Sequence, residues 1–443
     1  MSAAWATLRS ARARLGLASG YRHSRPTRLP AVFRRWHNSD SVSNASKSDK
    51  VEGTRDPIEE PPGGYGMNGY CPISLQDVLN DRYKVVRKLG WGLHSTVWLA
   101  EDTRSDTHVA VKVLTGYKTN DLEFSEVAYH KCADTCNPSH PGYNHLTHLK
   151  DTFSVHSPNG PHTCLVSDVV GQTSSTLASM FYNYWMPARL VKPIIKQTLL
   201  ALDYLHNECG IIHADIKPQN ILLKLPKDPS FFAELLRASP TPLKRTMHLT
   251  GDTHIPVVTC LQSQPFFLSM DEVINLEEVD VVLTDLGVAF WKSKTRELVG
   301  GCFQSPSFRA PEVILGASFS TSIDIWSVGC LAFEYLFGRP LFRPKESEHH
   351  LFLLACELGD FPPKELRSRG MHMHHAFDED GNFFTDVPPR EERRDLHFWV
   401  SMLADMDAEE QSKLLSFWQQ TFAYMPEDRP TAGQLAKHPW FND

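Results

Sequence analysis

The sequence predicts an α+β chain folded as two lobes, a small and mostly β amino lobe followed by a large and mostly α carboxyl lobe. Three observations carry this expectation. Strand-type alternation begins beyond Arg82 and recurs in short runs as far as Ser167. From Val191 the apolar residues return at helical spacing instead. The length, 443 residues with 41% apolar and 22% charged content, is enough for two packed cores.

Residues 1–37 hold eight arginines and no Asp, Glu or Lys, the make-up of a mitochondrial presequence, with a disordered basic tail as the alternative. Residues 38–67, rich in Ser, Pro, Gly and charge, read as a linker. The small lobe is expected over 68–170 and the large lobe over 171–443. Beyond the tail, 37 basic and 52 acidic residues leave a net charge of -15, which repels nucleic acid and attracts positively charged partners. No run of 18 or more apolar residues suggests a membrane span. Nine scattered cysteines, with Cys132/Cys136 the one close pair, read as reduced thiols rather than a disulfide framework or zinc site.

In the small lobe, Tyr83 to Leu89 alternates as a strand and runs through Gly90-Trp91-Gly92 into a second strand, Ser95 to Leu99. Gly90 and Gly92 allow the backbone to approach phosphate oxygens, Val97 would cover an adenine, and Ser95 stands where a third glycine is usual. Leu89 and Ala110 complete that side of a nucleotide site. Val109-Ala110-Val111-Lys112 places Lys112 on the next strand as a phosphate ligand. Asp121 to His130 is expected to be helical, with Glu126 as the partner that holds Lys112 and Glu123, one turn earlier, as the alternative. Tyr143 to Leu149 and Cys164 to Ser167 are expected to supply the rest of the sheet. Asp168 to Gly171 follows as a hinge, with the backbone of Asp168 and Val170 facing the adenine edge and the small Ser167 just before it.

In the large lobe, the helix Val191 to His206 leads into Ile212-His213-Ala214-Asp215-Ile216-Lys217-Pro218-Gln219-Asn220, and Asp285-Leu286-Gly287 follows 65 residues after Asn220. These residue types in this order form a phosphoryl-transfer constellation using ATP and Mg2+. Asp215 accepts the hydroxyl proton, Lys217 neutralises charge on the phosphoryl group, and Asn220 and Asp285 offer hard oxygen ligands to magnesium. The long spacing makes about 226–278 an insertion, within which Pro265-Phe266-Phe267-Leu268 is either a docking patch or a piece packed on the lobe.

Arg309-Ala310-Pro311-Glu312 closes the loop after Asp285. Ser305 is expected beside Asp215 and Lys217, Glu312 paired with Arg429, Asp324 holding the catalytic-loop backbone, and Trp326 to Phe337 as a core helix. Ala214 removes the arginine that commonly clamps a phosphorylated activation loop, which points to activity without that phosphate. Asp405, Asp407, Glu409 and Glu410 form one carboxylate cluster and Asp378-Glu379-Asp380 another; each is either solvated surface or a docking groove for arginine-rich tails. Histidines 372, 374 and 375 read as exposed polar residues rather than metal ligands.

These motifs resemble the SR-protein kinase family, which phosphorylates serines in arginine–serine-rich splicing proteins. The resemblance rests on Gly69-Tyr70-Cys71-Pro72, on Leu89-Gly90-Trp91-Gly92-Leu93-His94-Ser95-Thr96-Val97-Trp98-Leu99, on Ala214 before Asp215, and on Asp285-Leu286-Gly287. Asp428-Arg429-Pro430-Thr431-Ala432-Gly433 through His438-Pro439-Trp440 completes it. It covers about residues 69–443, with an insertion as short as that of a fungal short-spacer member. It implies the bilobal eukaryotic protein-kinase fold, a serine/threonine kinase acting on basic, arginine/serine-rich protein substrates in mRNA processing, a monomer, and a place in cytoplasm and nucleus; the arginine-rich start points instead to the mitochondrion. Two departures bear on substrate choice: Ser167 stands for a bulky residue and Ser305-Pro306 for a Thr-Arg pair. A kinase of non-SR basic proteins and an inactive kinase-fold scaffold are the alternatives, while a small-molecule kinase should lack Ala-Pro-Glu and Arg429.

Overall fold

The computed structural model describes residues 59–442 apart from 122–124, 226–233, 235, 238–243, 248–257, 262, 270–272, 274–278, 379, 385–386 and 390–391. The small lobe is built on a six-stranded antiparallel sheet in the order β1-β2-β3-β4-β6-β5. Its strands are β1 Val78–Leu79, β2 Tyr83–Gly92, β3 Ser95–Asp102, β4 Thr107–Leu114, β5 Leu149–Ser157 and β6 Gly160–Ser167. Alternate residues of the central strands, Tyr83, Val85, Trp98, Ala100, Val109, Val111 and Val113, fill one core. The opposite face is left for the site: Gly90 pairs with Val97, Val97 with Lys112, and Ala110 with Ser167.

Residues 59–65, the end of the segment expected as linker, are packed on this sheet. Lys88, buried on β2, is bonded to Glu59 at 2.9 Å and to Glu60, and Tyr65 donates to Glu60 at 2.6 Å. A buried ammonium is costly unless paired, so two carboxylates draw this stretch inward.

One expected piece of sheet is not sheet. Residues Pro141–His145 form a single 3-10 turn, and β5 begins only at Leu149. Pro141 opens the turn, and a Cβ at Gly142 would lie 1.9 Å from the carbonyl oxygen of Leu200, so the turn is pressed onto the large lobe instead.

Helix α1, Glu126–Thr135, starts where Ser125 accepts a hydrogen bond from the amide of Ala128. It thus extends past the expected end at His130, while Glu123 lies outside the described residues. In the large lobe, α2 spans Ala188–Asp203 and buries Leu190, Val191, Ile194, Ile195, Leu199 and Leu202. It runs on through a wider turn, Tyr204–Cys209, which Gly210 ends at φ 65°. Two short antiparallel strand pairs follow: β7 Ile211–Ile212 pairs with β12 Phe290–Trp291, and β8 Ile221–Leu223 with β11 Val281–Leu283. Helix α3, Ser322–Phe337, has fifteen of its sixteen residues buried and forms the lobe's axis.

Within the insertion, β9 Lys244–Met247 pairs with β10 Val258–Leu261. Of the apolar Pro265–Leu268 stretch, Phe266 and Leu268 are buried and Phe267 is exposed. The Arg87 guanidinium lies over Phe266, and Gln172 accepts from the Leu268 amide, so this piece packs on the body. Among the described residues no helix is long and apolar enough to cross a membrane.

Candidate active site

Lys112 projects from β4 between two carboxylates contributed by distant segments. Its Nζ lies 2.6 Å from Oε1 of Glu126 on α1 and 2.8 Å from Oδ1 of Asp285. Burial is the largest influence on the Lys112 ammonium and pulls it down, yet Asp285 and Glu126 together hold it above the ordinary lysine value. Lys112 in turn keeps the Asp285 carboxyl well below the usual carboxylate range, against the opposing effect of burial. Burial pushes Glu126 up, but Lys112 and His130 more than offset it and leave the group lowered. All three groups are therefore charged at neutral pH. Gly287 permits the approach, since a Cβ there would stand 2.9 Å from Oδ1 of Asp285.

The catalytic loop is held from beneath by Asp324, the first acidic residue of α3. Its Oδ2 accepts from the His213 amide at 2.9 Å and lies 2.8 Å from His206 Nε2, while Oδ1 accepts from the Ala214 amide at 2.9 Å. That hold keeps Ala214 at φ 62°, a left-handed conformation costing a non-glycine residue about 1 kcal/mol. His213 faces the Thr284 carbonyl through Nε2 at 3.0 Å and accepts the Asp215 amide through Nδ1 at 3.2 Å, which sets its tautomer as Nε2–H.

On this base the expected residues meet. Ser305 donates to Oδ1 of Asp215 at 2.7 Å, and Lys217 Nζ lies 2.6 Å from Oδ2 of Asp215 and 3.4 Å from Ser305 Oγ. Asn220 donates through Nδ2 to the Asp215 carbonyl at 2.8 Å and to its carboxylate at 3.1 Å. A small open pocket beside Asp215 is lined by Ala214, Val288, Cys302, Phe303, Gln304 and Ser305.

On the opposite side, Leu89, Gly90, Gly92 and Val97 are half-buried, and Ser95 and Ala110 are buried. Tyr70, from the entry segment, donates to the Gly92 carbonyl at 2.8 Å and so pins the hairpin that carries both glycines. No atom lies within 4 Å of a Cβ built at Gly90, leaving room for a ligand against the backbone there. Ser167 donates to the Asp168 carbonyl at 3.2 Å, and Gly171 donates its amide to Leu223 of the large lobe at 2.8 Å, closing the hinge that contains Val170.

Gln304 organises the peptide side and was not anticipated from sequence. Its amide nitrogen donates to Ile323 O at 2.8 Å and Ser327 Oγ at 2.7 Å, and its oxygen accepts from the Ala310 amide at 3.0 Å. A loop glutamine carries no periodic signal that would have singled it out. Pro306 opens a 3-10 turn, Pro306–Phe308, where its missing N–H costs nothing. Glu312 and Arg429 form the expected buried pair at 2.7 and 2.8 Å; Arg429 also donates to the carbonyls of Ala423, Ser322 and Tyr424.

Three of the 405–410 carboxylates take part in local structure. Asp407 caps the helix Ala408–Thr421 by accepting from the Glu410 amide at 2.8 Å, Glu409 pairs with Lys413 at 2.7 Å, and Glu410 pairs with Lys192 at 2.9 Å. Asp378 likewise accepts from the amide of Asn382, while Glu379 lies outside the described residues. His374 is exposed and His372 half-buried; the side chain of His375 is outside the described set.

The protein kinase domain family matches residues 83–231 and 270–441. The serine/threonine-protein kinase SRPK of Physarum polycephalum is 30% identical, the alignment taking in 88% of this chain and 91% of that one. The chain belongs to the SR-protein kinase family. Protein kinase dsk1 of Schizosaccharomyces pombe is 27% identical over 91% of this chain and 88% of its own, and human SRSF protein kinase 3 is 26% identical over 88% and 91%. This kinase is thus a serine/threonine protein kinase with an intact catalytic domain in the bilobal fold, and that fold implies the use of ATP and Mg2+. The residues present fit both. Asn220 spends its amide N–H groups on Asp215, so its oxygen is the atom left for a cation, and the half-exposed Asp285 carboxylate is held ionised beside it.

Proposed function

We propose that this kinase transfers the γ-phosphoryl group of ATP to serine hydroxyls in arginine/serine-rich protein segments. The observation that carries the reading is the contact of Ser305 with Asp215 beside Lys217, which marks where an acceptor hydroxyl is received. Asp215 takes the hydroxyl proton, Ser305 orients the acceptor, and Lys217 offsets the charge gathering on the phosphoryl oxygens. Lys112, fixed by Glu126, contacts the α- and β-phosphates; Leu89, Val97 and Ala110 enclose the adenine, and backbone groups of Asp168 and Val170 pair with its edge. Asn220 and Asp285 hold Mg2+, which when bound neutralises phosphate oxygens.

Substrate class rests on family membership together with the acidic body of the chain. Pro306 favours a second reading, basic substrates outside the RS class, because it removes a charge and an amide donor from the peptide loop. The interval between Asn220 and Asp285 supports a short-spacer subtype: the alignment to human SRSF protein kinase 3 runs over 535 residues while taking in 88% of this chain. Placement in cytoplasm and nucleus follows from the same family, against the mitochondrial suggestion of residues 1–37, which lie outside the described residues.

The test is phosphorylation of parallel RS, basic non-RS and acidic peptides with ATP and magnesium, with Asp215→Asn as control. Preference for the RS peptide supports the reading. Equal turnover of both basic peptides favours the second, and no transfer beyond the control sinks both.

A further inference from the structure

Three thiols remote from the active site converge where α1 meets the end of α2. Cys132 on α1 and Cys136, which caps the helix's C-terminal end, lie four residues apart, and Cys209 closes the wide turn that follows α2. Their sulfur atoms all lie within 4.8 Å of one another, and the Cys132–Cys136 separation is 3.3 Å. A tetrahedral ion with metal–sulfur bonds near 2.3 Å needs sulfurs about 3.8 Å apart. The three are therefore already close to ligand spacing.

The frame around them is fixed by hydrogen bonds that join the two helices. Tyr204 donates its hydroxyl to the Ala133 carbonyl at 2.7 Å and accepts the Asn137 amide at 3.2 Å, and Asn137 donates to Glu208 at 3.1 Å. Cys132 Sγ itself lies 3.7 Å from the Cys209 carbonyl oxygen. Cys209 is buried, Cys132 half-buried and Cys136 exposed, so the cluster opens to solvent on one side only.

We propose that Cys132, Cys136 and Cys209 form a binding site for one thiophilic d10 cation, zinc or cuprous ion, with water completing the shell on the side of Cys136. Soft thiolate donors select such ions, and coordination deprotonates the thiols outright. A bound ion ties α1, which carries Glu126, to the chain that passes through Gly210 and β7 to Asp215. It therefore braces two halves of the active site from behind without touching substrate. An oxidised Cys132–Cys136 pair is the competing outcome, since the two sulfurs lie 3.3 Å apart.

The experiment titrates the reduced, chelator-stripped full chain with Co2+ and then displaces it with Zn2+, reading thiolate-to-cobalt charge-transfer absorption and melting temperature. One equivalent should bind, with a rise in melting temperature. Cys136→Ser, at an exposed position that leaves the fold intact, should weaken zinc binding about 100-fold, the loss expected for one of a few thiolate ligands. Cys209→Ser should do the same, and Cys356→Ser, outside the cluster, should bind as the wild type does. Absence of the charge-transfer band, or uptake unchanged in Cys136→Ser, overturns the proposal. So does a peptide map showing a Cys132–Cys136 disulfide in protein that takes up no metal after reduction.

Discussion

Ser305 donates its hydroxyl hydrogen to Asp215 at 2.7 Å, joining residues ninety positions apart in the chain. The contact closes the peptide loop over the catalytic loop while leaving a pocket beside the carboxylate. It also places the proposed base next to an alcohol of the kind it is proposed to deprotonate.

Asp215→Asn should keep the fold and nucleotide affinity but lower peptide turnover about 10³-fold, because an amide cannot take the acceptor proton. Asp285→Asn should instead weaken magnesium-assisted nucleotide binding and free Lys112 from one of its two carboxylates. Steady-state turnover with parallel nucleotide-binding titrations separates the two. Wild-type rates in both variants would overturn the assignment of the site.

Ser167→Phe should discriminate between nucleotides. Ser167 faces Ala110 across the sheet beside the hinge, so a ring there fills space behind the adenine site. Binding of ATP analogues with bulky ring substituents should fall much more than binding of ATP. Equal losses for both would remove Ser167 from the pocket wall.

Activity should survive removal of phosphate from the chain. Ala214 offers no cation to a loop phosphate, and the loop is held instead by β12 pairing with β7 and by the Gln304 bonds. Phosphatase-treated and untreated kinase should phosphorylate a basic peptide at the same rate. Loss of turnover after dephosphorylation contradicts this.

Arg429→Lys should destabilise the large lobe by about 3 kcal/mol, since an ammonium cannot reproduce the fork that meets Glu312 and three carbonyls at once. Chemical denaturation measures it. The double variant Glu312→Gln, Arg429→Met should recover part of that loss, because no buried charge is then left with a poorly fitting partner. A single variant as stable as wild type would show that the pair contributes little.

Glu334 on α3 makes stability depend on pH. Burial pushes its carboxyl up to about 7 from an ordinary value of 4.5, with Arg343 pulling partly back. A folded-state value above the unfolded one means that the native state holds the extra proton between these limits. Stability from this group is therefore present below pH 4.5, is lost as pH rises toward 7, and stays lost above it. Glu334→Gln should raise stability by about 2 kcal/mol at pH 8 and by much less at pH 5. Denaturant midpoints at the two values check the sign, and an equal gain at both would remove Glu334 as the cause.

The chain by itself determined the two-lobed plan and the roster of chemical groups, because those are written in short-range patterns. Asp215, Lys217 and Asn220 fall within six residues, the strands of the small lobe alternate with period two, and Ile194, Ile195, Leu199 and Leu202 repeat at helical spacing. Local geometry follows from such spacing without knowledge of the rest of the molecule. Partner choice follows only in part. Only the tertiary structure added Asp285 to the expected Lys112–Glu126 pair, turned Pro141–His145 from strand to 3-10 turn against Leu200, and set Gln304 beneath the peptide loop. It also assigned Asp407, Glu409 and Glu410 to a cap and two ion pairs, and brought Cys209 to Cys132 across 77 residues. Each of these depends on the packing of elements far apart in sequence, where burial makes an unpaired charge or donor costly and so selects a partner that no local pattern names.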